Sequence, residues 1–131
     1  MPMYELKLDP KRRCLEIVLR GYWDEKVMDA FEREETDALE ALARLSPPTL
    51  CLVDLSQFPP QARNIVDRHT TRLSSPEAKI AARTAVIVPG AIVKMQAHRI
   101  IPTDGNERRM FGSRAEAEAW LFGEGDQRAV A

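Results

Sequence analysis

The chain has 131 residues, 44% of them hydrophobic and 30% charged, and a formal net charge of -1. That length suits one domain with a real core, and the near-neutral balance removes any overall attraction to nucleic acid or to an acidic membrane surface. No apolar run approaches the roughly 20 residues that span a bilayer, and Met1-Pro2-Met3-Tyr4 lacks the charged and apolar regions of a signal peptide, so the expectation is a cytoplasmic protein without membrane insertion.

Tyr4, Leu6 and Leu8 alternate with polar residues, Asp9-Pro10-Lys11 is a turn signal, and Leu15, Ile17 and Leu19 resume the period of two. This predicts an N-terminal antiparallel hairpin with one buried face and a wetter one carrying Glu16 and Arg20. Gly21 breaks the pattern before Tyr22 and Trp23. Asp24 then reads as the N-cap of a long helix to about Leu45, with Val27, Met28, Phe31, Ala38, Leu39, Leu42 and Leu45 forming one apolar stripe. Over that helix eight acids face three bases, a local charge of -5. Ser46-Pro47-Pro48 stops it, because proline lacks the amide a helix needs.

Leu50–Asp54 is apolar without alternation until its last residue, the mark of a central strand covered on both faces. A helix from about Gln61 to Leu73 follows, and Ser75-Pro76-Glu77 has the form of a fresh cap opening one extra turn. Ala85–Val88 is a second continuous apolar strand, closed by Pro89-Gly90. A further helix is predicted over about Ala91–Ile100, a loop at Thr103–Asn106 and a short last strand at Arg109–Phe111. Ser113 and Glu116 stand at capping-box spacing and open a final helix that buries Ala117, Trp120 and Leu121. The predicted domain covers residues 1–123, and the small polar tail over 124–131 reads as disordered.

The order β-β-α-β-α-β-α-β-α predicts an α/β fold: a mixed sheet of about five strands, parallel at its centre, with the antiparallel hairpin at its start and about four helices. Three stretches carry a resemblance to the STAS domain of bacterial anti-sigma-factor antagonists, and within it to the SpoIIAA-like (STAS/SEC14-like) family of small bacterial proteins. They are the strand Leu50–Ser56 with its terminal aspartate, the small-residue approach Ala82–Val88, and the block Arg109–Ser113 leading to Glu116–Leu121. The resemblance implies a STAS-like sheet and a protein-docking role. In the antagonist branch a serine in an Asp-Ser-Ser-Gly turn is phosphorylated, which places charge on the docking surface. Here Gln57-Phe58-Pro59-Pro60-Gln61-Ala62-Arg63 contains neither serine nor glycine, and Ser56 lies upstream of the matching position. The expectation is a docking surface without the phosphoswitch.

Strand ends of α/β sheets collect functional groups, so the residues singled out as partner or ligand contacts are Asp54, Ser56, Gln57, Phe58 and Arg63. Asp54 also reads as a cap for neighbouring amides, and Ser56 as a turn serine bonding its own backbone. His69 and His98 belong to no metal-ligand spacing, Asp67 and His69 point to different helix faces, and Cys14 and Cys51 read as buried free thiols. No catalytic residues, metal site or cofactor are expected. Between residues 60 and 83 five bases oppose two acids, a local charge of +3 that suits a solvated face, an acidic partner, or the acidic helix of a second copy. The expected function is a non-enzymatic, regulatory protein-interaction module, with a homodimer as a further option. The alternative is a small-molecule or lipid carrier of SEC14-like type, its cavity lined by Ile92, Met95 and Ile100 against Phe58. An enzyme would require Asp54, His69 or His98 to converge on a pocket.

Overall fold

The computed structural model describes residues 2–88 and 107–123. Five strands form one sheet in the order in which they occur: β1 (Tyr4–Asp9), β2 (Cys14–Arg20), β3 (Leu50–Gln57), β4 (Arg83–Ile87) and β5 (Glu107–Phe111). β1 and β2 pair antiparallel, and every later pairing is parallel. This is the mixed sheet that the strand patterns predict. The described helices are α1 (Glu25–Ala43), α2 (Arg63–Leu73), a single 3-10 turn at Pro76–Lys79, and α3 (Arg114–Glu118), which runs on as a wider π-helical turn over Ala119–Gly123. The helix expected over 91–100, the loop at 103–106 and the tail from residue 124 lie outside the described residues. Among the described residues no helix is long and apolar enough to cross a membrane.

Local signals set the helix starts. Asp24 accepts the Val27 amide at 2.9 Å, and Ser113 accepts the Glu116 amide at 3.3 Å, so each cap satisfies an amide that the first turn leaves free. α2 begins at Arg63 rather than Gln61, because the Gln61 side chain is committed to backbone groups elsewhere.

The period of two sorts the sheet into two faces. Leu15, Ile17, Leu19, Cys51, Leu55 and Val86 pack with Met28, Phe31, Leu39 and Leu42 of α1 and Ile65 of α2 into the main core. On the opposite face Leu52, Ala85 and Ile87 meet Ala117, Trp120 and Leu121. That second cluster covers β3–β5 and reaches β2 only at its first residue, Cys14.

The acidic α1 and basic α2 lie side by side and neutralise each other. Arg68 reaches Asp29 and Glu32 at 2.8 Å and Glu25 at 3.3 Å, and Arg72 reaches Glu35 at 2.7 Å. Sequence offers an acidic partner or a second copy as counterparts for these bases. The fold supplies the counterpart within the chain, since the β2–α1–β3–α2 connection sets the two helices against one face of the sheet.

Candidate functional site

The end of β3 is where the sheet becomes irregular. Val18 stands opposite Asp54, but Arg20 stands opposite Gln57, so β3 carries one extra residue there. This bulge turns the chain by one side-chain position. Gln57 would otherwise follow Cys51, Val53 and Leu55 onto the helical face. It instead lies beside Arg20, whose Nε donates to Gln57 Oε1 at 3.2 Å.

Asp54 sits one step before the bulge. Its Oδ1 accepts the Ser56 amide at 2.9 Å and its Oδ2 accepts Arg114 Nη2 at 2.9 Å. Burial by itself raises the Asp54 pKa, but the Ser56 and Arg114 hydrogen bonds outweigh it and hold the carboxyl below its ordinary value. Arg114 also reaches Glu16 at 2.8 Å and Glu118 at 3.7 Å. One guanidinium from the C-terminal helix thus ties β2 and β3 together. The capping role expected for Asp54 is met by the Ser56 amide, and the Arg114 contact is an addition that sequence gives no sign of. Asp54, Arg114 and Glu16, with Glu5, Lys7, Val18, Arg20 and Gln57, line a polar cleft of about 160 Å³ on the uncovered half of the sheet. Its charged groups are three acids and three bases, so the cleft as a whole favours neither sign of ligand.

Above the bulge, the loop from Phe58 to Ala62 is locked rather than loose. Gln61 Oε1 accepts the Trp23 amide at 2.8 Å, and Gln61 Nε2 donates to the Gly21 carbonyl at 2.9 Å and the Pro59 carbonyl at 2.7 Å. Gly21 also donates its amide to the Gln57 carbonyl at 3.1 Å. It has φ of +71°, a backbone conformation that favours glycine, and a Cβ there would press only on the flexible end of Met3 at 3.0 Å. The result fixes Tyr22 beside the loop. Tyr22 is 63% exposed, and no other large hydrophobic of the described residues is comparably bare.

The residues selected from sequence therefore separate. Ser56, Gln57 and Arg63 are exposed at the strand end and the start of α2. Phe58 is buried, packed edge-on to Trp23 and 5.8 Å from the His69 ring. It belongs to the core and is no surface contact, because Phe58 turns back under the loop that Gln61 pins. Trp23, Phe31 and Phe58 surround His69 on the helical face. Burial pushes the His69 pKa down to about 4, helped by Arg68 and Arg72, and its Nε2 has no hydrogen-bond partner. Asp54 and His69 thus lie on opposite faces of the sheet and share no pocket. His98 and the carrier-lining Ile92, Met95 and Ile100 lie outside the described residues. Cys14 and Cys51 are buried free thiols, and burial raises both pKa values, so neither is a poised thiolate. Among the described residues no group of three or more His, Cys, Asp or Glu side chains is arranged to hold a metal.

A second feature was hidden from sequence reasoning. Glu35 and Arg72 pair beside a cavity of about 70 Å³ between α1, α2 and the sheet, lined also by Cys51, Thr84 and Arg108. Burial raises the Glu35 pKa above its ordinary value, and the Arg72 contact offsets only part of that rise. Glu35 sits among several acids of an exposed-looking helix, and only the packing of α2 singles it out.

No protein-family model matches the chain, and no curated protein matches it. Among solved structures it is similar to an uncharacterized protein of the DUF3478 family with a SpoIIAA-like fold, from Shewanella loihica PV-4. The TM-score is 0.64 at 17% identity, and the match covers 90% of this chain and 93% of that one. The fold is SpoIIAA-like. At that identity the likeness carries the architecture alone. Within this SpoIIAA-like sheet, the bulged end of β3, its Asp54–Arg114 pair and the pinned Tyr22 turn form the candidate site.

Proposed function

We propose that this chain is a non-enzymatic, regulatory protein-interaction module that docks a protein partner at the end of β3. The contact surface comprises Ser56, Gln57, the Pro59-Pro60 stretch, Arg63 and Tyr22. The observation that carries this reading is the bare Tyr22 ring on a turn that Gln61 holds by two hydrogen bonds, to Trp23 and Gly21, while a third ties it to Pro59. An amphipathic aromatic on a rigid support loses little entropy on binding and is a common anchor of protein interfaces. The separation of Asp54 from His69 supports a binding role over a catalytic one, since acid–base work needs the groups within reach of one substrate. The stretch Gln57–Arg63 holds no serine, so regulation would rest on docking itself rather than on phosphate at the matching turn.

The test is quantitative affinity capture from the native host with wild-type, Tyr22→Ser, Arg63→Glu and Lys79→Glu proteins as baits. A partner should be retained by wild type and Lys79→Glu, and depleted at least tenfold by Tyr22→Ser. If nothing is retained, or a partner is indifferent to Tyr22 and Arg63, the reading fails.

A further inference from the structure

β1 is the outer strand of the sheet, and its pattern is self-complementary. Arg20 donates its amide to the Met3 carbonyl at 2.8 Å. In an antiparallel pair backbone direction alternates, so Met3, Glu5, Lys7 and Asp9 turn their backbone groups toward β2. The amides and carbonyls of Tyr4, Leu6 and Leu8 therefore point away from the sheet. Among the described residues nothing pairs with this edge; such an edge is a template for another strand, and its side chains decide which strand fits.

We infer that two copies of this chain pair antiparallel through β1, about a two-fold axis at Leu6. In that register Leu6 meets Leu6 of the second copy, Tyr4 meets Leu8, and Glu5 meets Lys7. All three outward residues then lie in hydrogen-bonded pairs, the arrangement that uses both backbone groups of each. On the helical face the contacts are apolar, and on the other face two Glu–Lys pairs form across the dyad. Shifting the register by two residues destroys this complementarity. One shift sets Lys7 against Lys7 and Glu5 against Asp9, and the other sets Glu5 against Glu5. Like charges directly opposite each other disfavour a strand pair.

A lysine in the middle of an edge strand ordinarily deters pairing. Here the glutamate two residues away converts that deterrent into a register key. The edge also has apolar surface to cover: Tyr4, Leu6 and Leu8 are only partly buried although they face the core. A groove lined by Met3, Tyr4, Val27 and Ala30, and also by the charged Lys26 and Glu34, runs beside them. In the dimer the second copy's Leu8 stands opposite Tyr4, over that groove. The interface is isologous and closes at two copies. It lies on β1 and leaves the bulged end of β3 free for a separate partner.

Sedimentation velocity of the full chain over a concentration series tests the pairing. Wild type should show a concentration-dependent dimer. Lys7→Glu replaces both attractive pairs by repulsive ones and should weaken the dimer by roughly tenfold or more. Combining it with Glu5→Lys should restore the dimer relative to either single change, a control needed because Glu5 also pairs with Arg20 at 2.6 Å. Leu6→Pro removes an amide that points away from β2, so it should leave the far-ultraviolet circular dichroism unchanged and abolish the dimer. A wild type that stays monomeric at every concentration overturns the inference, even if β1 then accepts a strand from another protein. So does a dimer indifferent to both Lys7→Glu and Leu6→Pro.

Discussion

The two faces of the sheet differ in how much apolar area each one buries. On the helical face α1 and α2 bury a continuous apolar layer, with Trp23, Phe31, Met28, Leu42 and Ile65 at most 2% exposed. On the opposite face α3 and its π-helical extension bury a smaller apolar cluster, Ala117, Trp120 and Leu121 against Cys14, Leu52, Ala85 and Ile87, and charged groups surround it. Arg114 clasps Asp54 and Glu16, Arg12 reaches Glu118 at 3.4 Å, and Arg83 and Arg109 stack on Trp120 at 4.5 and 5.5 Å. Buried area is insensitive to salt and costly to interrupt, whereas half-exposed ion pairs contribute little each and are screened. The larger core therefore anchors the fold, and the smaller one on the other face leans more on the charged groups around it. The candidate site stands where the open side meets the bulged end of β3.

The comparison is tested first at its strongest point. Trp23→Ala removes a ring packed on Tyr4, Phe31, Phe58 and His69. It should cost about 3–5 kcal/mol by thermal or urea unfolding, the usual range for a large aromatic lost from a core. A loss below about 1 kcal/mol would mean that the aromatic cluster is not the anchor.

His69 gives the helical face its own pH signature. Its pKa falls from 6.5 to about 4 on folding, so between those values the unfolded chain takes up a proton that the native chain refuses. Stability should thus be lost as pH drops below 6.5, by roughly 3 kcal/mol at pH 4, with no further loss from this group below that. His69→Phe should remove that part of the acid sensitivity. Equal slopes for both proteins in urea titrations from pH 7 to 4 would contradict the burial of a neutral imidazole.

On the charged face the effects should be smaller and local. Arg114→Met should lower global stability by only about 1 kcal/mol, and should loosen α3 far more than α1. Asp54 titrates below the ordinary carboxylate range. Its contribution is therefore present above the unfolded pKa and lost as pH falls through the folded one, and in Arg114→Met the part of that pH dependence due to the clasp should disappear. Nuclear magnetic resonance titration of Asp54 in the two proteins checks this: its pKa should rise in the variant. The smallest effect belongs to Tyr22→Ser, within about 0.5 kcal/mol of wild type in stability, since the ring is exposed. Any larger loss would move Tyr22 from the contact surface into the scaffold.

Much of this division is legible in the sequence, and for a physical reason. The period of two in Tyr4, Leu6 and Leu8, the unbroken run from Leu50, and the caps at Asp24 and Ser113 are local patterns that the final structure keeps. What escapes is set by partners distant along the chain. Arg114 is an ordinary first-turn arginine until the register brings Asp54 and Glu16 beneath it. Gln61 reads as the start of a helix, and only the Gly21 turn explains why it is not. The bulge that moves Gln57 has no glycine or proline to announce it. Phe58 follows the strand end in sequence and so reads as a contact, yet the chain folds it inward.

Native-state hydrogen exchange, residue by residue and at low and high salt, separates the two faces most directly. Amides of α1 around Met28 and Phe31 should exchange only through global unfolding and respond weakly to salt. Those of Ala117, Trp120 and Leu121 should exchange through a cheaper local opening that becomes easier as salt screens the Arg114 clasp. Equal opening energies on both faces, with no difference in their response to salt, would contradict a sheet anchored by a large core on one side and by a smaller, charge-supported core on the other.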